Sequence, residues 1–298
     1  MSFKYAYIGS TDVSKKILEQ SVLDPCAVIS FNESYDGSVS GFATYEEYGD
    51  RWHTVDSINS ERAQDILQEV DPDVVFVMAW QELLNTDVLG IPTLGFIGRH
   101  LSLLPKRRGR APVAWSLIQG LNETGVTLFW LTDGIDSGDI ISQKRVLIED
   151  SDEAGDLLSK MTATTVGMLD ELLPQLVSGV IPAVPQNDAE ATYTHPRRPD
   201  MGLINWKDSA SILYDFIRGQ THPYPGAFTY HRMDKVKVWH ASVAHRTQIE
   251  GLPGEVLLEL DSANRFCVQT GEGILEVEVE NKIGAYPIGI GSVFGAGH

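Results

Sequence analysis

Apolar runs with a period of two alternate with stretches of helical spacing over the first half of the chain. Lys4 to Ile8 mixes apolar and aromatic residues and ends at Gly9-Ser10, which predicts a buried first strand with a tight exit turn. A helix follows, capped by Asp12 or Ser14, with Ile17, Leu18, Val22 and Leu23 on its inner face. Cys26 to Phe31 reads as a second strand, and Gly37 to Arg51 as a polar loop with a short strand. Ala63, Ile66, Leu67 and Val70 give Asn59–Val70 helical spacing, which Asp71-Pro72-Asp73 stops before the apolar strand Val74–Ala79. Alternation of this kind predicts a mostly parallel sheet covered on both faces.

Further on, Ala111–Gly120 reads as a helix, Thr124–Leu131 as an alternating strand and Ile140–Ile148 as another. Ser151–Ser178 is a long amphipathic helix whose first turn is acidic (Asp152, Glu153, Asp156), as the helix dipole favours. Pro182 to Pro199 is polar and proline-bearing and reads as a boundary. Beyond it a helix over Ser209–Arg218 precedes five short alternating runs: Ala227–His231, Val236–Val243, Gly254–Leu260, Arg265–Thr270 and Ile274–Val279. Short strands at that spacing predict a small β-barrel or sandwich. The fold class is therefore α/β: a mostly parallel sheet domain over 1–190, a linker over 191–206 and a small β domain over 207–298.

Composition narrows the function. The 298 residues carry 41 Asp and Glu against 23 Lys and Arg, a formal net charge of -18. Phosphate neutralisation drives general nucleic-acid binding, so a chain this acidic is not expected to bind nucleic acid. No apolar run approaches a membrane span. The two cysteines, Cys26 and Cys267, are far apart and read as buried free thiols of a reducing, cytoplasmic compartment. Gly9 stands alone in the first strand–helix turn, without the spaced glycines of a dinucleotide site, so no nicotinamide or flavin is expected. Gly289, Gly291, Gly295 and Gly297 sit in a tail without strand–helix context.

Chemistry concentrates in Gly95–Gly109. His100 follows an apolar run, where imidazole is suited to proton transfer near neutrality. A basic cluster of Lys106, Arg107, Arg108 and Arg110 stands beside it, suited to an anionic substrate or cofactor tail. The glycine-punctuated loop Asp133-Gly134-Ile135-Asp136-Ser137-Gly138-Asp139 can bring a carboxylate to the histidine. None of the other histidines reads as a metal ligand, and no metal is expected.

The blocks Ser102-Leu103-Leu104-Pro105-Lys106, Arg108-Gly109, Thr124-Gly125-Val126-Thr127 and Asp136-Ser137-Gly138-Asp139-Ile140-Ile141 occur here in order. With Gly202-Leu203-Ile204-Asn205-Trp206 and Pro223-Tyr224-Pro225-Gly226-Ala227, they cover nearly the whole chain and resemble the folate-dependent formyltransferase family. The resemblance implies a Rossmann-like catalytic domain followed by an OB-like β-barrel. It also implies transfer of a formyl group from 10-formyltetrahydrofolate to a primary amine.

Family members use an Asn, His and Asp triad. By position His100 is the histidine and Asp136 the aspartate, while Gly98 stands where the family has asparagine. That asparagine donates to the developing oxyanion. The space left at Gly98 is expected to admit a water or a backbone N–H, with His100 also covering the oxyanion. Arg99 is a second candidate donor, although alternation points it to the other face. The resemblance places Trp80, Leu84, Leu89 and Ile135 on the pterin, with backbone groups near Glu82, Leu84 and Thr132 at its edge. It makes Ser102, Lys106 and Arg108 the substrate-binding candidates.

Family acceptors include the initiator methionyl-tRNA and nucleotide-linked amino sugars. The acidity and the Lys-Arg-Arg-Gly-Arg-Ala-Pro run favour an amino sugar, nucleotide-linked, of a surface polysaccharide. The alternatives are a methionyl-tRNA enzyme, a formyl-folate hydrolase and a non-catalytic relative. Family members often pair through the C-terminal domain, which implies a homodimer.

Overall fold

Strands appear where the period-two runs stand and helices where the spacing is helical. The computed structural model describes residues 3–35, 39, 41–244, 249–261, 264–280 and 287–295. In chain order the elements are β1 (Tyr5–Ile8), α1 (Asp12–Gln20), β2 (Ala27–Phe31), β3 (Trp52–Val55), α2 (Glu61–Val70), β4 (Val74–Val77), α3 (Thr86–Leu89) and β5 (Gly95–His100). Next come β6 (Arg108–Gly109), α4 (Pro112–Ile118), β7 (Glu123–Trp130), β8 (Ile140–Leu147), α5 (Ala154–Val177) and β9 (Tyr193–Thr194). The last are α6 (Ala210–Arg218), β10 (Ala227–His231), β11 (Asp234–Val243), β12 (Val256–Asp261), β13 (Arg265–Gln269), β14 (Ile274–Val279) and β15 (Phe294–Gly295). The chain divides into a first unit of Met1–Gly109, Thr124–Val146 and Ser159–Thr194, and a second of Arg110–Glu123, Leu147–Leu158 and His195–His298.

The first unit is built on a seven-stranded sheet in the order β3-β2-β1-β4-β5-β7-β8. The pairings from β3 to β5 are parallel, and β7 runs antiparallel to β5. β2 and β4, inside the parallel part, are buried on both faces, which is why they read as largely apolar runs, while the edge strand β3 is half-exposed. Ala6, Ile8, Ala27, Ile29, Val75, Val77 and Phe96 form one core, with α2 packing Ala63 and Leu67 into it.

The cap of α1 is Thr11 rather than Asp12 or Ser14. Ser14 N donates to Thr11 Oγ1 at 3.2 Å, and Thr11 N donates to Ser14 Oγ at 2.8 Å. The reciprocal pair satisfies two otherwise open amides, and such a cap stabilises a helix by about 1 kcal/mol. Of the expected inner face of α1, Ile17, Leu18 and Leu23 are buried and Val22 is exposed. The Ser14 hydroxyl also meets the Tyr45 hydroxyl at 2.8 Å over Gly9, so side chains fill the first strand–helix turn.

The second unit carries α4, α6 and a six-stranded antiparallel sheet in the order β12-β13-β14-β11-β10-β15. Phe294 N donates to Gly254 O at 2.8 Å and Val256 N to Ser292 O at 2.8 Å. These bonds tie the segment of β15 to the start of β12 and curl the sheet into a half-barrel. Its core holds Val238, Val268, Leu275, Val277 and Phe294, with Leu213 and Ile217 of α6.

In the glycine-rich tail, Phe294–Gly295 forms a short strand that pairs with Tyr230 and His231. Two residues are too few to show a period. Of the two thiols expected to be buried, Cys267 is buried and Cys26 is exposed, and the short strand expected within Gly37–Arg51 lies just after it, at Trp52–Val55. Gly37 and Gly297 lie outside the described residues.

Candidate active site

β5 delivers the histidine. Its partners on β7 are Phe129 for Gly98, Leu128 for Arg99 and Thr127 for His100. Alternation puts Gly98 and His100 on one face and Arg99 on the other. There Arg99 Nη1 donates to Thr165 Oγ1 of α5 at 3.3 Å, so Arg99 does not stand in for the absent asparagine.

His100 is buried, 6% exposed, and both ring nitrogens face protein groups. Nε2 lies 2.7 Å from the Arg107 carbonyl, and Nδ1 lies 3.5 Å from Asp136 Oδ2. A carbonyl only accepts, so Nε2 carries hydrogen in this arrangement. Asp136 Oδ2 also accepts from Gly109 N at 2.7 Å. The carboxylate is thus fixed between the end of β5 and the loop after it. Both Asp136 (φ 49°) and Arg107 (φ 59°) adopt left-handed backbone, which aims their polar groups at the imidazole. The acidic loop passes close to β7, and a Cβ at Gly138 would stand 1.8 Å from the Trp130 carbonyl. Only glycine permits that approach.

The space expected at Gly98 is filled. A Cβ there would lie 2.4 Å from Leu131 Cδ2 and 3.3 Å from Phe129 Cε1. An apolar side chain, rather than water or a backbone N–H, takes the room that the missing side chain leaves.

Two of the substrate-binding candidates are internal. Ser102 is fully buried, and its hydroxyl donates to the Lys106 carbonyl at 2.6 Å, tightening the loop. Arg108 is 2% exposed. Its guanidinium donates to Gln186 Oε1 from Nε at 3.1 Å and from Nη2 at 2.8 Å, to the Tyr193 hydroxyl at 3.2 Å and to Asp188 Oδ1 at 2.8 Å. It closes the loop from within and offers no face to an anion. Lys106 is exposed.

The folate candidates divide. Leu84 is buried in the first unit's core, and Trp80 and Leu89 pack against it together with Leu131. Trp80 stacks on Phe31 at 3.9 Å and 19°, and Phe31 stacks on Tyr35 at 4.4 Å and 13°. Trp80 Nε1 is buried with no hydrogen-bond partner among the described residues, so the indole offers a dry donor to an incoming acceptor. Glu82 is half-buried, and its Oε2 accepts from Ile58 N at 2.8 Å. Thr132 and Ile135 are exposed on the acidic loop, and Ile135 is not part of the core that holds the others.

Sequence reasoning missed several groups. The Arg107 carbonyl and Gly109 amide are backbone atoms that any residue type supplies. Gln186 donates to the Asp136 carbonyl at 2.8 Å and the Gly138 carbonyl at 2.7 Å from within the expected boundary segment. Phe31 was legible only as a strand residue. The second unit has its own pocket of about 150 Å³, lined by Ala114, Arg197, Gln220 and Tyr224 among others, and neither His100 nor Asp136 lines it. Among the described residues no group of three or more His, Cys, Asp or Glu is arranged to hold a metal ion.

Known proteins resemble this chain over most of its length. Methionyl-tRNA formyltransferase from Alkaliphilus metalliredigens (strain QYMF) is 36% identical over 226 residues, which cover 76% of this chain and 71% of the relative. Among solved structures, an N-formyltransferase from Helicobacter canadensis in complex with folinic acid and dTDP-3-aminofucose superposes with a TM-score of 0.69. It is 18% identical, with 93% of this chain and 100% of that chain covered. A HypX variant from Aquifex aeolicus gives a TM-score of 0.67 at 17% identity; the match covers 93% of this chain and spans only 44% of HypX. The formyl transferase family matches residues 22–172 and its C-terminal domain matches residues 197–290. With both parts present in order, the chain belongs to the formyl transferase family.

Proposed function

We propose that the chain transfers a formyl group from 10-formyltetrahydrofolate to the primary amine of a nucleotide-linked amino sugar. The observation that carries the transfer reading is the His100–Asp136 pair, 3.5 Å apart at the end of β5, in a chain of this family. With the Arg107 contact released and the ring hydrogen on Nδ1, facing Asp136, His100 Nε2 accepts the proton that the amine sheds as its nitrogen bonds to the formyl carbon. The same nitrogen returns that proton to the folate nitrogen as the C–N bond to it breaks. Asp136 orients the imidazole and stabilises its charged form while it holds the proton. The products are a formamide and tetrahydrofolate. Nε2 faces the Arg107 carbonyl here, so the amine must displace that contact to reach it.

Trp80, Leu84 and Leu89 supply an apolar wall for a pterin, and the unpartnered Trp80 Nε1 supplies a donor for one of its acceptors. This chemistry belongs to the first unit, which runs to Thr194. Two observations support a sugar acceptor. The net charge of -18 disfavours a polyanionic tRNA. The Helicobacter canadensis relative, similar over its whole length, is described with dTDP-3-aminofucose.

The relative that is 36% identical is a methionyl-tRNA formyltransferase, which keeps that acceptor as the second reading. A mass screen decides between them. Protein and 10-formyltetrahydrofolate are incubated with a panel of nucleotide-linked amino sugars, with free amino sugars and with methionyl-tRNA. A gain of one carbonyl on a nucleotide sugar is expected. A gain on methionyl-tRNA alone replaces the acceptor, and release of formate without any acceptor replaces transfer with hydrolysis.

A further inference from the structure

Gln186 sits in the polar segment between α5 and β9, with no motif around it. Its side-chain oxygen accepts twice from Arg108, at 3.1 and 2.8 Å. Its side-chain nitrogen donates twice, to the Asp136 carbonyl at 2.8 Å and the Gly138 carbonyl at 2.7 Å. Arginine only donates and a carbonyl only accepts, so these partners fix which end of the amide is oxygen. Both hydrogens and both oxygen lone pairs are used. No other side chain of this size offers two donors and two acceptors in one plane.

What the amide joins is the loop after β5 and the loop that carries Asp136. The first loop is strapped down by the same segment. Arg108 N donates to Thr192 O at 2.8 Å, Arg107 N to Thr192 Oγ1 at 2.9 Å, and β6 pairs with β9. That loop presents the Arg107 carbonyl to His100 Nε2 and the Gly109 amide to Asp136 Oδ2. The second loop holds Asp136 at φ 49°, a conformation an L residue keeps only when its surroundings enforce it. The Asp136 carbonyl is the backbone group next to that torsion, and Gln186 grips it.

We propose that Gln186 is a positioning residue for formyl transfer. It locks the left-handed Asp136 backbone to the Arg108 loop, so that one carboxylate oxygen reaches both the Gly109 amide and His100 Nδ1. Arg108 completes the device by holding the Gln186 oxygen. The role rests on the proposed function in taking His100 and Asp136 as the proton-transfer pair. Displacements of about 1 Å at such a pair lower turnover by up to about a hundredfold.

Gln186→Glu is the informative change. It keeps an acceptor for Arg108 and sets a carboxylate oxygen against the two carbonyls. Turnover is expected to fall about tenfold or more, with KM for the formyl donor within about twofold. In an Asp136→Asn background the same change is expected to cost less than about twofold, since residues that act through one another are not additive. A second reading needs no turnover: the Gly109 amide, released from a displaced carboxylate, is expected to exchange with deuterium faster than in the wild type. Gln186→Met, which drops all four bonds at similar volume, gives the same two readings should Gln186→Glu not fold.

Equal losses in both backgrounds overturn the proposal, and so does a Gly109 amide that keeps its wild-type exchange rate. If the wild-type protein formylates no acceptor, the proposed function fails by itself, and the Gly109 exchange rate still decides the role of Gln186.

Discussion

A methyl group placed on Gly98 would meet Leu131 Cδ2 at 2.4 Å, so these two residues share one site above the end of β5. Position 98 is where the family carries an oxyanion-donating asparagine by resemblance, and here leucine fills that volume. Gly98→Asn alone must displace Leu131 and press on Phe129, an overpacking that costs about 1–3 kcal/mol. It is expected to lower both Tm and turnover. Gly98→Asn combined with Leu131→Ala makes room for the amide. A positioned donor raises kcat by up to about a hundredfold or more in other acyl-transfer sites, so a rise of about tenfold over Leu131→Ala is expected here. Steady-state turnover of the four proteins checks it, and a double variant no faster than Leu131→Ala sinks the idea.

Much of the fold was legible because burial writes itself into period. β10 and β14 begin and end where the alternation does. β1, β2 and β4 show as largely apolar runs, whereas the parallel edge strand β3, half-exposed, does not. Two-residue strands such as β6, β9 and β15 escaped, because they are held by partners distant in sequence and carry no period of their own. In the site, His100 and Asp136 were legible from their motif, and the structure places them together. The burial of Arg108 was not. A buried and an exposed arginine look alike in sequence, and the partners that separate them, Gln186, Asp188 and Tyr193, lie 78 to 85 residues away. The departure at Gly98 was legible, but its occupant was not, since Leu131 reaches it across the sheet.

Arg108 is expected to behave as an internal brace rather than an anion clamp. Arg108→Lys keeps the charge but loses the planar fork that bridges Gln186 and Tyr193. Leaving buried partners unpaired costs about 2–4 kcal/mol. Asp188, 80% exposed at its side chain, contributes little through its ion pair, and Asp188→Asn is expected to stay within about 0.5 kcal/mol. Urea titrations of both variants measure this. A stable Arg108→Lys protein whose only defect is a raised acceptor KM points instead to a substrate clamp.

Trp80 is expected to report folate binding. Its indole stacks on Phe31, and its buried Nε1 has no partner among the described residues. Binding of 5-formyltetrahydrofolate should change the tryptophan emission, and Trp80→Phe should abolish that change. An offset aromatic stack is worth about 0.5–1.5 kcal/mol, so Phe31→Ala should weaken binding by roughly two- to tenfold. Wild-type affinity in Phe31→Ala separates the stack from the pterin wall.

The half-barrel carries a pH-sensitive group. His231 in β10 is buried, and burial, helped by Arg232, pushes its imidazole below the usual 6.5, against a smaller opposing pull from Asp234. A lowered folded value means that the unfolded chain binds the proton more readily. This contribution to stability is complete above about pH 6.5 and is lost as the pH falls towards the folded value. His231→Gln should therefore show a shallower decline in Tm between about pH 6.5 and pH 5 than the wild type. Parallel curves for the two proteins place the acid sensitivity elsewhere.

The proton-transfer pair gives the most direct separation of chemistry from folding. Asp136→Asn leaves a side-chain oxygen to accept from Gly109 N, so the loop keeps its anchor and Tm should move little. What it removes is the negative charge 3.5 Å from His100 Nδ1, which stabilises the imidazole only while the imidazole is charged. That condition holds in the transition state and not before it, so kcat should fall by about 10²–10⁴-fold, as for the corresponding change in a serine protease triad, with the KM for formyl-folate nearly unchanged. His100→Gln removes the proton acceptor itself, and combining the two changes should cost little beyond His100→Gln alone, because Asp136 then has nothing to act through. Turnover of the single and double variants on whichever acceptor the mass screen identifies is the measurement. Independent, multiplicative losses from the two substitutions would show that the carboxylate serves the reaction by some route other than the imidazole.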